Sequence, residues 1–147
     1  DRAFALVTGV DEGFLDELEK RTGFRSDPRI RFVGTVYDQE LLKKIRENAF
    51  AYLHGHEVGG TNPSLLEALA STRLSLLLDV GFNREVAEGA ALYWTKEAGS
   101  LIRLIMRVES VDDQEAIVFR ELSREMIRVR YSWNLVVSSY EKLFLEN

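Results

Sequence analysis

The sequence contains no cysteine, which excludes disulfides, thiolate metal sites, cysteine nucleophiles and iron–sulfur clusters together. It has only two prolines against ten glycines and no low-complexity stretch, so disordered, collagen-like and linker-dominated chains are excluded as well. No apolar run approaches the roughly 20 residues that span a bilayer, and no charged start leads into an apolar signal core. Basic residues are also in short supply. Nineteen Lys and Arg share the surface with 24 Asp and Glu, a net charge of -5 that argues against a nucleic-acid partner. What remains is 147 residues, 46% hydrophobic and 10% aromatic, enough for one domain with a real core. The chain opens at Asp1 on a segment that already reads as a strand, which is expected of a piece of something larger.

The hydrophobic pattern alternates between two periods. Ala3 to Gly9 is a continuous apolar run expected to form a strand buried on both faces. Asp11 to about Thr22 carries Phe14, Leu15 and Leu18 at helical spacing, with acidic residues first and Lys20 and Arg21 last. A turn at Asp27-Pro28 precedes a strand over Ile30 to Val33, closed by Gly34, and a helix from about Asp38 to Asn48. Further strands are predicted at Phe50 to His54, Leu74 to Asp79 and Ala91 to Trp94, with an apolar helix ending near Ser71. Strands separated by helices imply a parallel sheet covered on both sides, an α/β doubly wound, Rossmann-like domain. The sheet core is expected over approximately 1–95 and a helical tail over 96–147. In the tail, Leu101 to Val108, Asp112 to about Val129 and Ser132 to about Glu146 read as helices, the last two separate or one bent near Tyr131. The tail aromatics Tyr131, Trp133, Tyr140 and Phe144 are expected in core or interdomain packing.

In such sheets ligands sit beyond the carboxyl ends of the strands, and one strand-to-helix loop is unusual. His54-Gly-His-Glu-Val-Gly-Gly-Thr-Asn-Pro-Ser-Leu-Leu-Glu67 places two adjacent glycines before a near-ideal helix start. Asn62 or Thr61 is a candidate cap, and Pro63 suits the first helical position. Glycines admit a ligand close to the backbone, and a helix N-terminus supplies partial positive charge, so the loop suits an anion. A plain turn and cap would use the same residues. Added bulk at Gly60 is expected to be harmful. Glu67, a carboxylate among Leu65, Leu66, Ala68, Leu69 and Ala70, is either a helix-dipole residue or an acceptor for a pair of sugar hydroxyls. The loop has neither Walker nor dinucleotide-fingerprint spacing. His54 and His56 alternate and suggest a metal pair, but without a third ligand no metal is expected. Arg84 and Glu85, after Asp79, read as a solvated helix start that is also within reach of a ligand.

The stretches Phe32-Val-Gly-Thr-Val-Tyr37, Asn48 to Ala70 and Asp79-Val-Gly-Phe-Asn-Arg-Glu-Val86 resemble the C-terminal donor-binding domain of retaining GT-B glycosyltransferases of family 4, and most closely bacterial rhamnosyltransferases of surface-polysaccharide assembly. The resemblance implies that Glu67 matches the second glutamate of a paired motif and holds the ribose hydroxyls of a nucleotide. The first glutamate of the pair, which touches the donor sugar, would fall at Gly59. Glu57 is the nearest carboxylate, so either Glu57 serves or the amides of Gly60, Thr61 and Asn62 act alone. Thr35 and Val36 match the nucleobase-contacting segment.

Further implications are a nucleotide-sugar donor, dTDP-L-rhamnose, no separate cofactor, a lipid-linked polysaccharide acceptor and a cytoplasmic location at the inner membrane face. No residue is assigned to the chemical step. The Arg- and Lys-bearing first strand and helix of the family, and its N-terminal acceptor domain, have no counterpart here. Their absence implies a fragment without turnover, whose strands either pair directly into a five-stranded sheet or leave open edges that favour self-association. The alternative is a non-catalytic nucleotide-sensing or protein-interaction module on the same scaffold.

Overall fold

The computed structural model describes residues 2–145, in two compact units meeting at Leu42 and Lys43. The first unit holds β1 (Phe4–Leu6), α1 (Glu12–Thr22), a 3-10 turn at Phe24–Ser26 and β2 (Ile30–Phe32). β1 and β2 are parallel, with Phe4 opposite Ile30 and Leu6 opposite Phe32. α1 begins where expected because the Asp11 side chain accepts from Phe14 N–H, and it ends at left-handed Gly23, whose N–H donates to the Glu19 carbonyl.

α2 (Gln39–Asn48) runs across the boundary, and its start is capped by Asp38, which accepts from Leu41 N–H. The second unit continues through β3 (Tyr52–His54), α3 (Pro63–Ser71), β4 (Ser75–Leu78), α4 (Gly81–Ala87) and β5 (Leu92–Trp94). Its last part is helical: α5 (Ser100–Glu109), α6 (Asp113–Arg130) and α7 (Trp133–Leu145). β3, β4 and β5 form a parallel sheet in that order, with β4 in the centre. Both units are thus α/β with parallel strands, and a helical segment follows, as the sequence pattern requires.

Successive β4 side chains point to opposite faces and build two cores. Leu77 packs with Leu65 and Leu69 of α3 and Val86 of α4, whereas Leu76 packs with Leu92, and with Leu104 and Val108 of α5. α6 serves both, with Met126 and Ile127 against one core and Ala116 and Phe119 in the other. It is pinned by Ser123 Oγ, which donates to the Ala90 carbonyl at 3.0 Å.

One expectation is corrected. The strand expected over Ala3 to Gly9, buried on both faces, is three residues long and exposed, with Phe4 45% accessible. A two-stranded sheet of such short strands has too little area to be sandwiched. Of the two strand arrangements expected, direct pairing into five strands is not seen among the described residues: β1 pairs with β2, and β3, β4 and β5 form a separate sheet. In the tail, Tyr131 packs against the core at the end of α6, whereas Trp133, Tyr140 and Phe144 stand outside the core, Trp133 80% exposed, so core packing is met at Tyr131 and interdomain packing stays the expectation for the other three. α6 and α7 are separate helices, and Glu146 lies outside the described residues, as does Asp1.

Candidate functional site

The segment from His54 to Glu67 contains the residues most able to hold a ligand. β3 ends at His54, which is buried, with Nδ1 hydrogen-bonded to Tyr52 Oη at 3.0 Å and the ring stacked on His56 at 4.6 Å. Burial, with the neighbouring His56 adding to it, pulls His54 down to about 4. His54 is therefore neutral at physiological pH. Among the described residues no group of three or more His, Asp or Glu is placed to hold a metal.

From Gly55 the chain is exposed and irregular until the helix begins. The Asn83 side chain anchors its start, donating to the carbonyls of His56 at 3.2 Å and Leu78 at 2.9 Å. Gly59 has φ 139°, a conformation costly for any residue with a Cβ. That explains why a glutamate is disfavoured at this point in the loop. Gly60 has no positive φ and open space around its Cβ direction, so the backbone constraint lies at Gly59 and not at Gly60. Glu57, the substitute carboxylate, is ion-paired with Lys96.

The start of α3 is built as its sequence predicts. Asn62 Oδ1 accepts from Ser64 N–H at 2.9 Å, its carbonyl accepts from Leu65 and Leu66 N–H, and Pro63 occupies the first turn. Among the described residues the N–H groups of Gly60, Thr61 and Asn62 donate to no protein acceptor. Three free donors thus precede a capped helix whose dipole is positive at this end.

One turn further on, Glu67 is 46% exposed at its side chain, and its Oε2 accepts from Arg46 Nη1 of α2 at 2.7 Å. Neither reading of Glu67 from sequence foresaw this partner. Arg46 is the buried residue of α2, 9% exposed, and stands four positions after Leu42 on the helix. The available signal was a charge placed on an apolar helical stripe.

Other candidate residues are placed as follows. Arg84 pairs with Asp79 and lies over the Tyr93 ring at 4.2 Å, bracing the end of β4 against that of β5. Glu85 is exposed. In the first unit, Thr35 and Val36 follow β2 without regular structure, and the Thr35 hydroxyl stands 2.7 Å from where a Cβ on Gly9 would be. The loops after β1 and β2 therefore touch there, and a Cβ at position 9 would require the Thr35 hydroxyl to turn away. A depression of about 570 Å³ lies elsewhere, along α7 against Trp133, Val137, Tyr140 and Phe144, and includes none of the residues above.

No protein-family model matches the sequence, and no curated protein matches it. Among solved structures the chain is similar to a glycosyltransferase from Rickettsia africae ESF-5, with a TM-score of 0.76 over 99% of this chain at 15% identity. The chain spans 40% of that protein. The likeness establishes a glycosyltransferase-like, Rossmann-like α/β fold. Among the described residues no helix is long and apolar enough to cross a membrane.

Proposed function

We propose that this chain is the donor-binding part of a glycosyltransferase and binds a nucleoside diphosphate sugar beyond the carboxyl end of β3. The observation that carries this reading is the series of unpartnered amides at Gly60, Thr61 and Asn62, leading into an Asn62-capped helix with Glu67 one turn inside. Amides of this kind accept a diphosphate, and in sugar transfer they would meet the negative charge that develops on the leaving group. Glu67 accepts hydrogen bonds from the sugar hydroxyls of the nucleoside. With Glu57 held by Lys96, the contact to the donor sugar falls to the same amides. The glycosyltransferase-like fold supports the assignment at the level of architecture.

The resemblance carried by the His54 to Glu67 motif extends the proposal to transfer of L-rhamnose from dTDP-rhamnose, with retention, onto a lipid-linked polysaccharide at the inner membrane face. The acceptor would be held by a further domain.

Calorimetric titration of the full-length protein with dTDP tests the core of this reading. Glu67→Gln retains a carbonyl oxygen for Arg46, so the fold is kept, while affinity for dTDP, whose deoxyribose offers one hydroxyl, falls by about 1.5–3 kcal/mol, the worth of a hydrogen bond to a charged group. Unchanged affinity would reduce Glu67 to a structural partner of Arg46.

A further inference from the structure

The contact between Arg46 and Glu67 joins a buried group to an exposed one. The guanidinium is buried and the carboxylate is half exposed, and the two come from different helices, 21 residues apart. A guanidinium that only needed its charge balanced would gain most by engaging both carboxylate oxygens in a fork. Here one hydrogen bond joins Arg46 Nη1 to Glu67 Oε2, and among the described residues Oε1 accepts from nothing. The buried end of the pair is anchored, and the exposed end has one oxygen pinned and one available.

Arg46 also has little freedom to be elsewhere. A charged group out of water with no partner is costly, so its side chain stays where Glu67 can reach it. Tyr52, half-buried in β3, lies within electrostatic range of both charges, and its hydroxyl is tied to His54.

We propose that Arg46 is a positioning residue for donor binding: it fixes Glu67 through Oε2 so that Oε1 faces the sugar hydroxyls of the nucleoside. This rests on the donor-binding reading given above. Arg46 touches no ligand in this scheme, and its effect passes entirely through the orientation of Glu67. Its loss should consequently erase discrimination for the hydroxyls without disturbing contacts to the diphosphate.

The experiment compares, in the full-length protein, affinities for two ligand pairs: UDP with its 2′,3′-dideoxy analogue, and dTDP with its 3′-deoxy analogue. The natural protein should prefer the hydroxylated member of at least one pair by about tenfold or more. Arg46→Met, which keeps the length of the stem, should cut that preference below about threefold and leave affinity for the deoxy analogue unchanged. Arg46→Lys should restore part of the preference.

An Arg46→Met protein that keeps the preference, or that loses affinity equally for both members of a pair, overturns the proposal and leaves the ion pair a structural tie. Should Arg46→Met not fold, Arg46→Lys combined with Glu67→Gln decides. Losses of preference that fail to add support the proposal, and losses that add independently overturn it. A natural protein with no preference in either pair would sink the Glu67 assignment itself, and this proposal with it.

Discussion

β1 and β4 are both short apolar strands with a parallel neighbour, and the sequence reads them alike. In the structure every residue of β4 is buried, whereas β1 leaves Phe4 and Ala5 exposed. The difference lies in what surrounds each strand. β4 has β3 and β5 on its two edges and helices packed on both faces, while among the described residues β1 pairs with β2 alone. An apolar run specifies that a segment can be a strand. Its burial depends on how many other elements bring apolar faces to it.

Substitution tests that difference most strongly at the centre. Leu77→Ala removes a side chain with no exposed area from the core shared by α3 and α4, and should cost about 2–5 kcal/mol in denaturant unfolding. Phe4→Ala, in the half-exposed position of β1, should cost about 1 kcal/mol or less. Comparable losses at the two sites would mean that β1 is buried in solution as deeply as β4, and the contrast would fail.

The contrast recurs over two residues at the end of β3, where the rings of His54 and His56 stack but only His54 is buried. With His54 pulled from its usual 6.5 to about 4, the unfolded chain takes up a proton that the folded chain refuses. Stability should therefore be complete above pH 6.5, decline as pH falls toward 4, and level off below that. The slope from this one group is at most about 1.4 kcal/mol per pH unit. Urea unfolding at a series of pH values should show His54→Gln flattening this component and His56→Gln, which removes only the lesser cause, retaining most of it. The same slope in the His54→Gln protein would assign it to another group.

What was legible in the sequence follows from the range of the interactions involved. Caps at Asp11, Asp38, Asn62 and Asp112 are set by residues two or three positions away, and each helix begins where these suggest. The parallel order of β3, β4 and β5 follows from helices of sufficient length between them. Arg46 could not be paired with Glu67, because their contact depends on how α2 and α3 lie beside β3. The division of the strands into two sheets was equally hidden, since edge pairing is decided by neighbours in space. The exposure of Trp133 and Phe144 has the same origin: helical spacing shows that an apolar face exists without showing what meets it.

The adjacent glycines of the loop separate a requirement of the fold from one of ligand binding. At Gly59 φ is 139°, and an added Cβ meets no atom within 4 Å, so the penalty for alanine comes from the backbone alone. Gly59→Ala should destabilise by about 1 kcal/mol or more. Gly60 has equal space and no positive φ, so Gly60→Ala should leave stability unchanged. If the loop binds a diphosphate through its amides, Gly60→Val should still weaken dTDP binding by crowding the approach, more than Thr61→Ser does. Thermal unfolding and calorimetric titration of the same variants resolve the two roles. Should Gly60→Val bind dTDP as well as Thr61→Ser, with only Gly59→Ala showing any effect, the loop is a connection whose glycine serves the turn.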